Sequence, residues 1–169
     1  LCGCGVRRLD AEQVLRGWAQ RSHSRLAILR VPGIYAPDRL PLERLRRGTP
    51  ALAAADDVHT NHIHADDLAR AIAQALFQAL PQRIYHVSDD SDLKMGDYFD
   101  QVADASGLPR PPRLPRAQLQ GQVSPMLWSF MSESRRLCNL RMKRELGLRL
   151  RYPQVADALL AAPVRLAVD

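Results

Sequence analysis

The side chains best equipped for chemistry are concentrated in HTNHIHADDLARAI, residues 59–72, where His59, His62, His64, Asp66 and Asp67 fall within nine positions. Imidazoles and carboxylates at this density are the donor types of a zinc centre or of an acid–base site. On a strand, however, His62 and His64 share one face while His59 points to the other, so the three do not converge on one ion. The aspartates have a separate use. Leu68, Ala71, Ile72, Ala75, Leu76 and Leu80 recur at helical spacing, and Asp66 and Asp67 sit in the first turn of that helix, where the dipole favours negative charge. The stretch therefore reads as a strand running into a helix start, with no metal.

The elements around it follow from the change of apolar period along the chain. Ala11, Val14, Leu15 and Trp18 line one face of a helix ending near Ser22. RLAILRV, residues 25–31, is a short branched apolar run stopped by Pro32-Gly33, read as a buried strand with a sharp exit. A loop-rich stretch holds a short basic helix in PLERLRRG, and VHTNHIH is read as one strand. After the helix closed by Pro81, RIYHVSD is a further strand, and MGDYFDQVADASGL contains a helix stopped by Gly107. Helical patterns return around Trp128 and from Arg141 to Leu146. Helices alternating with apolar strands indicate an α/β fold.

Composition narrows the function classes. A chain of 169 residues with 46% hydrophobic content is long enough for a core. The net charge of +6 raises nucleic acid as a partner, but aromatics are only 5% and the arginines are dispersed through apolar-periodic segments, so no nucleic-acid reading surface is expected. No apolar run reaches the roughly eighteen residues of a membrane span. Three cysteines without paired spacing suit a reducing compartment. The expectation is a cytoplasmic chain with no membrane partner.

Several segments, taken in order, carry a family likeness. IHADDLARAI resembles the isoleucine-histidine-x-x-aspartate-leucine-alanine segment of the extended short-chain dehydrogenases, the NAD(P)-dependent epimerase/dehydratase group. LAILRVPGIYAP resembles that group's strand ending in arginine-x-x-x-x-tyrosine-glycine-proline. RIYHVSDDSDLKMGDYFDQVADASGLP resembles its next strand and helix, and SRRLCNLRMKRELGLRLRYP its closing basic helix and leucine-glycine turn. The resemblance implies the C-terminal half of a Rossmann-type doubly wound parallel sheet plus a small substrate-binding subdomain. Residues 1–89 would form the back half of the NAD(P)-binding domain, with a loop-rich insertion at 36–58, and residues 90–169 the substrate subdomain.

The same resemblance implies an NAD(P) cofactor and a small-molecule hydroxyl or carbonyl substrate. Pro32, Gly33, Ile34 and Tyr35 would lie against the nicotinamide, and glycine at a strand exit lets a backbone approach a ligand closely. The family's catalytic tyrosine and lysine fall on Cys4 and Arg8, both substituted. A thiol beside a guanidinium can have a lowered pKa and Arg8 could hold a ribose or phosphate, but neither is the usual proton relay. Thr60-Asn61 stands where sugar-nucleotide enzymes often carry arginine-aspartate. Asn61 and His62 are substrate candidates and serve equally as loop and strand hydrogen-bonders; Arg135 and Arg136 are anion candidates or a solvated helix face. No G-x-x-G-x-x-G occurs, and GCGVRR has Arg8 at the third glycine. The expectation is a truncated chain, inactive alone, or a non-catalytic binding or scaffold remnant of that family. Its sheet edge beside residues 25–31 would be unpaired, favouring a homodimer or aggregation.

Overall fold

The computed structural model describes residues 3–161, with side chains from residue 5 onward. Helix α1 (Gly3–Arg21) leads into β1 (Ala27–Arg30). The chain does not turn sharply at Pro32. It continues as β2 (Gly33–Tyr35), because a proline keeps its own residue extended and the next strand finds a partner at once. A short helix α2 (Leu42–Arg46) and strand β3 (Ala51–Leu52) follow. The stretch expected as one strand is two, β4 (His59–Thr60) and β5 (His62–His64), broken at Asn61. Helix α3 (Ala65–Gln78), β6 (Arg83–His86), β7 (Leu93–Lys94), α4 (Met95–Ala105) and β8 (Arg113–Leu114) come next. Short helices α5 (Arg116–Leu119), α6 (Pro125–Met131), α7 (Leu140–Glu145) and α8 (Val155–Ala161) complete the described chain.

Pairing explains the break at Asn61. β5 runs parallel to β2 and β6 parallel to β1, so β5–α3–β6 is a crossover unit laid along the extended β1–β2 segment. β4 instead pairs antiparallel with β7, and β3 parallel with β8. One strand cannot serve both ladders without bending between them.

α1 packs on the sheet through a face that periodicity did not single out. Glu12 accepts two hydrogen bonds from Arg30 of β1 at 2.8 and 2.7 Å, Arg16 donates to the Gln82 carbonyl, and Ala19 is fully buried. Ala11, Val14, Leu15 and Trp18, which share one helix face by their spacing, are exposed. The apolar face of α3 is covered only in part: Ala71 is buried and Leu68 and Ala75 half-buried, while Ile72, Leu76 and Leu80 are exposed. β1, expected to be buried, is half-buried at all four residues. It has β6 on one edge and, among the described residues, no strand on the other, which is the open edge expected from the sequence.

Three core clusters hold the layers together. Ile63, Ala71, Tyr85 and Val87 pack with Met142, Leu146 and Leu148 from far down the chain. Tyr35, Leu45, Tyr98, Phe99 and Val155 form a second cluster beneath α4 and α8, and Leu52, Val58, Leu119 and Met131 a third. All three clusters draw on residues before and after position 89. No described helix is long and apolar enough to cross a membrane.

Candidate functional site

The parallel β2–β5 ladder brings Gly33, Tyr35, His62 and His64 into register, with Gly33 opposite His62 and Tyr35 opposite His64. The Gly33 N–H donates to the Asn61 carbonyl at 3.2 Å. A β-carbon on Gly33 would meet the His62 ring at 3.2 Å and the Asn61 carbonyl at 3.4 Å. The missing side chain is thus needed for the imidazole, while the residue itself stays exposed to solvent. Pro32 and Ile34 beside it are half-buried.

Beneath the strand, His62 stacks on Tyr98 of α4 at 4.0 Å between ring centroids, and Tyr35 meets His64 and His62 edge-on at 5.3 and 6.2 Å. Burial pushes His62 down to about 4, so the ring is neutral at physiological pH. Asp89, just past β6, completes the cluster. Its Oδ1 accepts from the Ser91 N–H at 3.0 Å, whereas its buried Oδ2 lacks a hydrogen-bond partner. Burial pushes this carboxyl up to about 7, opposed by the Ser91 hydrogen bonds and the nearby Tyr35 hydroxyl and reinforced by the charge of Asp90. Tyr35 and Tyr98 are held above the ordinary phenol range, first by burial and then by Asp89. The Tyr35 hydroxyl faces Asp89 closely enough for the two to influence each other's ionisation, without a hydrogen bond of normal geometry.

Other candidates are occupied in holding the chain. Asn61 Oδ1 accepts from the Leu137 N–H and its Nδ2 donates to the Arg135 carbonyl, both at 2.8 Å. Arg135 pairs with Glu133 and Arg136 with Asp92. His64 caps α3, its Nδ1 accepting from the Asp66 N–H at 3.2 Å. Asp67 does more than meet the helix dipole: fully buried, it accepts from the N–H groups of Arg151 and Tyr152 at 2.8–3.0 Å. Cys4 and Arg8 stand one turn apart on α1, and Arg8 is exposed; the side chain of Cys4 lies outside the described residues. His59 Nδ1 lies 3.3 Å from Asp92 Oδ1, and among the described residues no group of three or more histidine, cysteine, aspartate or glutamate side chains could hold a metal.

Asp89 and Tyr98 escaped sequence reasoning. Each stands in a segment read for its element, a strand end and a helix, and only the pairing of β5 with β2 sets them under Gly33. The double aspartate of VSDD is the one signal that marked the place.

No family model matches the sequence and no curated protein matches it. Solved structures do. A functionally unknown conserved protein from Silicibacter pomeroyi is 33% identical, with a TM-score of 0.69 over 80% of this chain and 47% of that one. The human epimerase family protein SDR39U1, solved with NADPH, is 18% identical with a TM-score of 0.68, over 85% of this chain and 50% of that one. DesIV, a dTDP-glucose 4,6-dehydratase from Streptomyces venezuelae solved with NAD and TYD bound, is 21% identical with a TM-score of 0.66, over 90% and 47%. The chain spans about half the length of these structures. Its fold is that of the C-terminal half of the Rossmann-type NAD(P)-dependent epimerase/dehydratase structures.

Proposed function

We propose that this chain supplies the nicotinamide-facing and substrate-facing half of an NAD(P)-dependent epimerase/dehydratase-like oxidoreductase, acting on a small molecule with a hydroxyl or carbonyl group. The observation that carries the reading is Gly33: packed on His62 yet exposed to solvent, at the end of a parallel ladder shared with the fold of NADPH- and NAD-bound structures. Pro32, Gly33, Ile34 and Tyr35 would form the wall against the nicotinamide, with Asn61 and His62 next to it. In this reading residues 1–89, with the insertion at 36–58, contribute the cofactor half and residues 90–169 the substrate side, the segment after Asn139 returning to pack on the first.

The residues present fit the nicotinamide end of a dinucleotide and not its pyrophosphate, because no glycine-rich turn opens a helix here. When bound, the cofactor would supply the hydride chemistry; the chain's own part is to hold and orient the ring and to exclude water from its inner face. Cys4 and Arg8 occupy the positions of a proton relay without the groups for it, so the chain alone is inactive. Those two departures favour, as a second reading, a non-catalytic binding or scaffold role in the same fold.

The test is NADPH titrated against the chain, read by amide chemical shifts and cofactor fluorescence. Shifts confined to residues 32–35 and 61–62, with affinity weaker than micromolar, are expected. Shifts elsewhere, or none at millimolar NADPH, would remove the cofactor reading, and micromolar affinity would remove the claim that the pyrophosphate site is lacking.

A further inference from the structure

The basic stretch that closes the chain plays no part in the cofactor reading, yet it borders a cleft of about 490 Å³ lined by Asp90, Lys143, Gly147, Arg149, Leu150 and Pro153, among others. After α7 the Leu146 N–H donates to the Met142 carbonyl, and Gly147 reverses the chain at φ 63°. The next residues alternate: Leu148 is buried, Arg149 exposed and Leu150 half-buried. That is the period of an extended strand with one side on the core. Its far end is fixed by Asp67, which takes the N–H groups of Arg151 and Tyr152.

Between those anchors, the main-chain N–H and C=O groups of residues 147–150 find no hydrogen-bond partner among the described residues. A fixed, extended and unpaired main chain is a template for an added strand. Charge selects the partner. Lys143 is held by Asp90 and Arg151 stands 3.7 Å from Asp66, but Arg144 and Arg149 form no ion pair among the described residues. Of the charged residues lining the cleft, Lys143 and Asp90 neutralise each other and Arg149 is left as the cation without a partner among the described residues, so a carboxylate of an incoming strand would meet it.

We infer that the cleft beside residues 147–150 is a strand-addition site for an extended acidic peptide. The peptide's main chain pairs with the open edge, and a carboxylate faces Arg149. This site stands apart from the Gly33 wall and does not depend on the cofactor reading.

The test uses the whole chain and a fluorescein-labelled octapeptide of alternating glutamate and valine, followed by anisotropy and by amide hydrogen exchange. Saturable binding and slowed exchange within residues 147–150 are expected. Arg149→Glu, at an exposed position that leaves the circular dichroism unchanged, should weaken binding by about tenfold or more, equivalent to at least about 1.4 kcal/mol. N-methylation of alternate peptide amides should abolish it. Absence of saturation would overturn the proposal. So would binding that survives N-methylation, or a lysine–valine peptide binding equally well, since either would mean that no strand pairs there or that charge plays no part.

Discussion

The imidazole of His62 lies stacked on the phenol of Tyr98, 4.0 Å between centroids and 23° between planes, with Gly33 on its other side. The Tyr98 ring, the edge-on Tyr35 ring and a bare backbone thus surround a titratable group, and Asp89 is buried in the same cluster. The folded protein keeps both uncharged over a range in which the unfolded chain carries a carboxylate and an imidazolium.

That arrangement sets opposite pH dependences. Asp89 has a folded pKa of about 7, above its ordinary 3.8. Its contribution to stability is full below the unfolded value and is lost as pH rises through 7. His62 has a folded pKa of about 4, below 6.5. Its contribution is full above the unfolded value and is lost as pH falls through 4. Between about pH 4 and 6.5 the slopes nearly cancel. Urea unfolding of Asp89→Asn should therefore lack the carboxyl's decline, so that between pH 5 and 8 its stability rises relative to the parent by a difference on the order of 2–3 kcal/mol. His62→Phe, which can keep the stack, should unmask that decline at acid pH. If Asp89→Asn and the parent show the same slope from pH 6 to 8, the carboxyl does not titrate there.

Gly33→Ala should cost about 1–2 kcal/mol, because the neighbours of the new methyl cannot yield. One is the Asn61 carbonyl, fixed by its hydrogen bond from the Gly33 N–H; the other is His62, already backed by Tyr98. Removing the ring in the double variant Gly33→Ala/His62→Ala should recover part of the loss relative to the sum of the single changes. Thermal unfolding of the four proteins gives the coupling, and strict additivity would show that the methyl and the ring never meet.

How much of this was legible in the sequence depends on the reach of each interaction. The strand at residues 27–30 and the helices from Ala65 and Met95 were readable, because period and turn residues act over a few positions. The break at Asn61 was not, since it comes from two ladders whose partners lie elsewhere. Asp67 looked like a helix-dipole residue, and its acceptance from Arg151 and Tyr152 is invisible without the fold. The apolar faces of α1 and α3 were readable as apolar, but their exposure was not, because period reports hydrophobicity and not what covers it. How far the Cys4, Arg8 and Gly33 assignments reach into chemistry rests on the resemblance and on the titration proposed above.

Gly96 was read as part of a helix, and the structure gives it a sharper reason. A β-carbon there would fall 1.3 Å from Arg113 Nη1, whose guanidinium lies across the start of α4 to reach Asp57 at 3.2 Å and Asp100 at 2.8 Å. Gly96→Ala must eject that guanidinium. Asp57 is buried and would keep only its contacts from the Val58 and Gly96 N–H groups. A loss of about 2–4 kcal/mol follows from stranding that carboxylate. Once Arg113→Ala has already removed the ion pair, adding Gly96→Ala should cost less than about 1 kcal/mol. Equal costs in the two backgrounds, measured by chemical unfolding, would dissociate the glycine from the arginine.

The open edge of β1 and the exposed Val14, Leu15 and Trp18 on the helix before it make self-association the expected behaviour of the isolated chain. An unpaired strand offers its main-chain groups to any other strand, and an apolar face beside it adds hydrophobic area to the same contact. Sedimentation from about 1 to 100 μM should show mass rising with concentration, and Val14→Glu/Trp18→Glu should reduce it, since the two positions share the exposed face and neither touches the Glu12–Arg30 pair that seats α1. A parent chain that stays monomeric throughout that range would mean that the edge and the helix face are not joined into one adhesive surface. If instead the parent associates and the double variant does so equally, the contact runs through the β1 edge or through Ile72, Leu76 and Phe77 of α3. Glutamate placed at Leu76 and Phe77 then separates those two, because only an α3 contact would be lost.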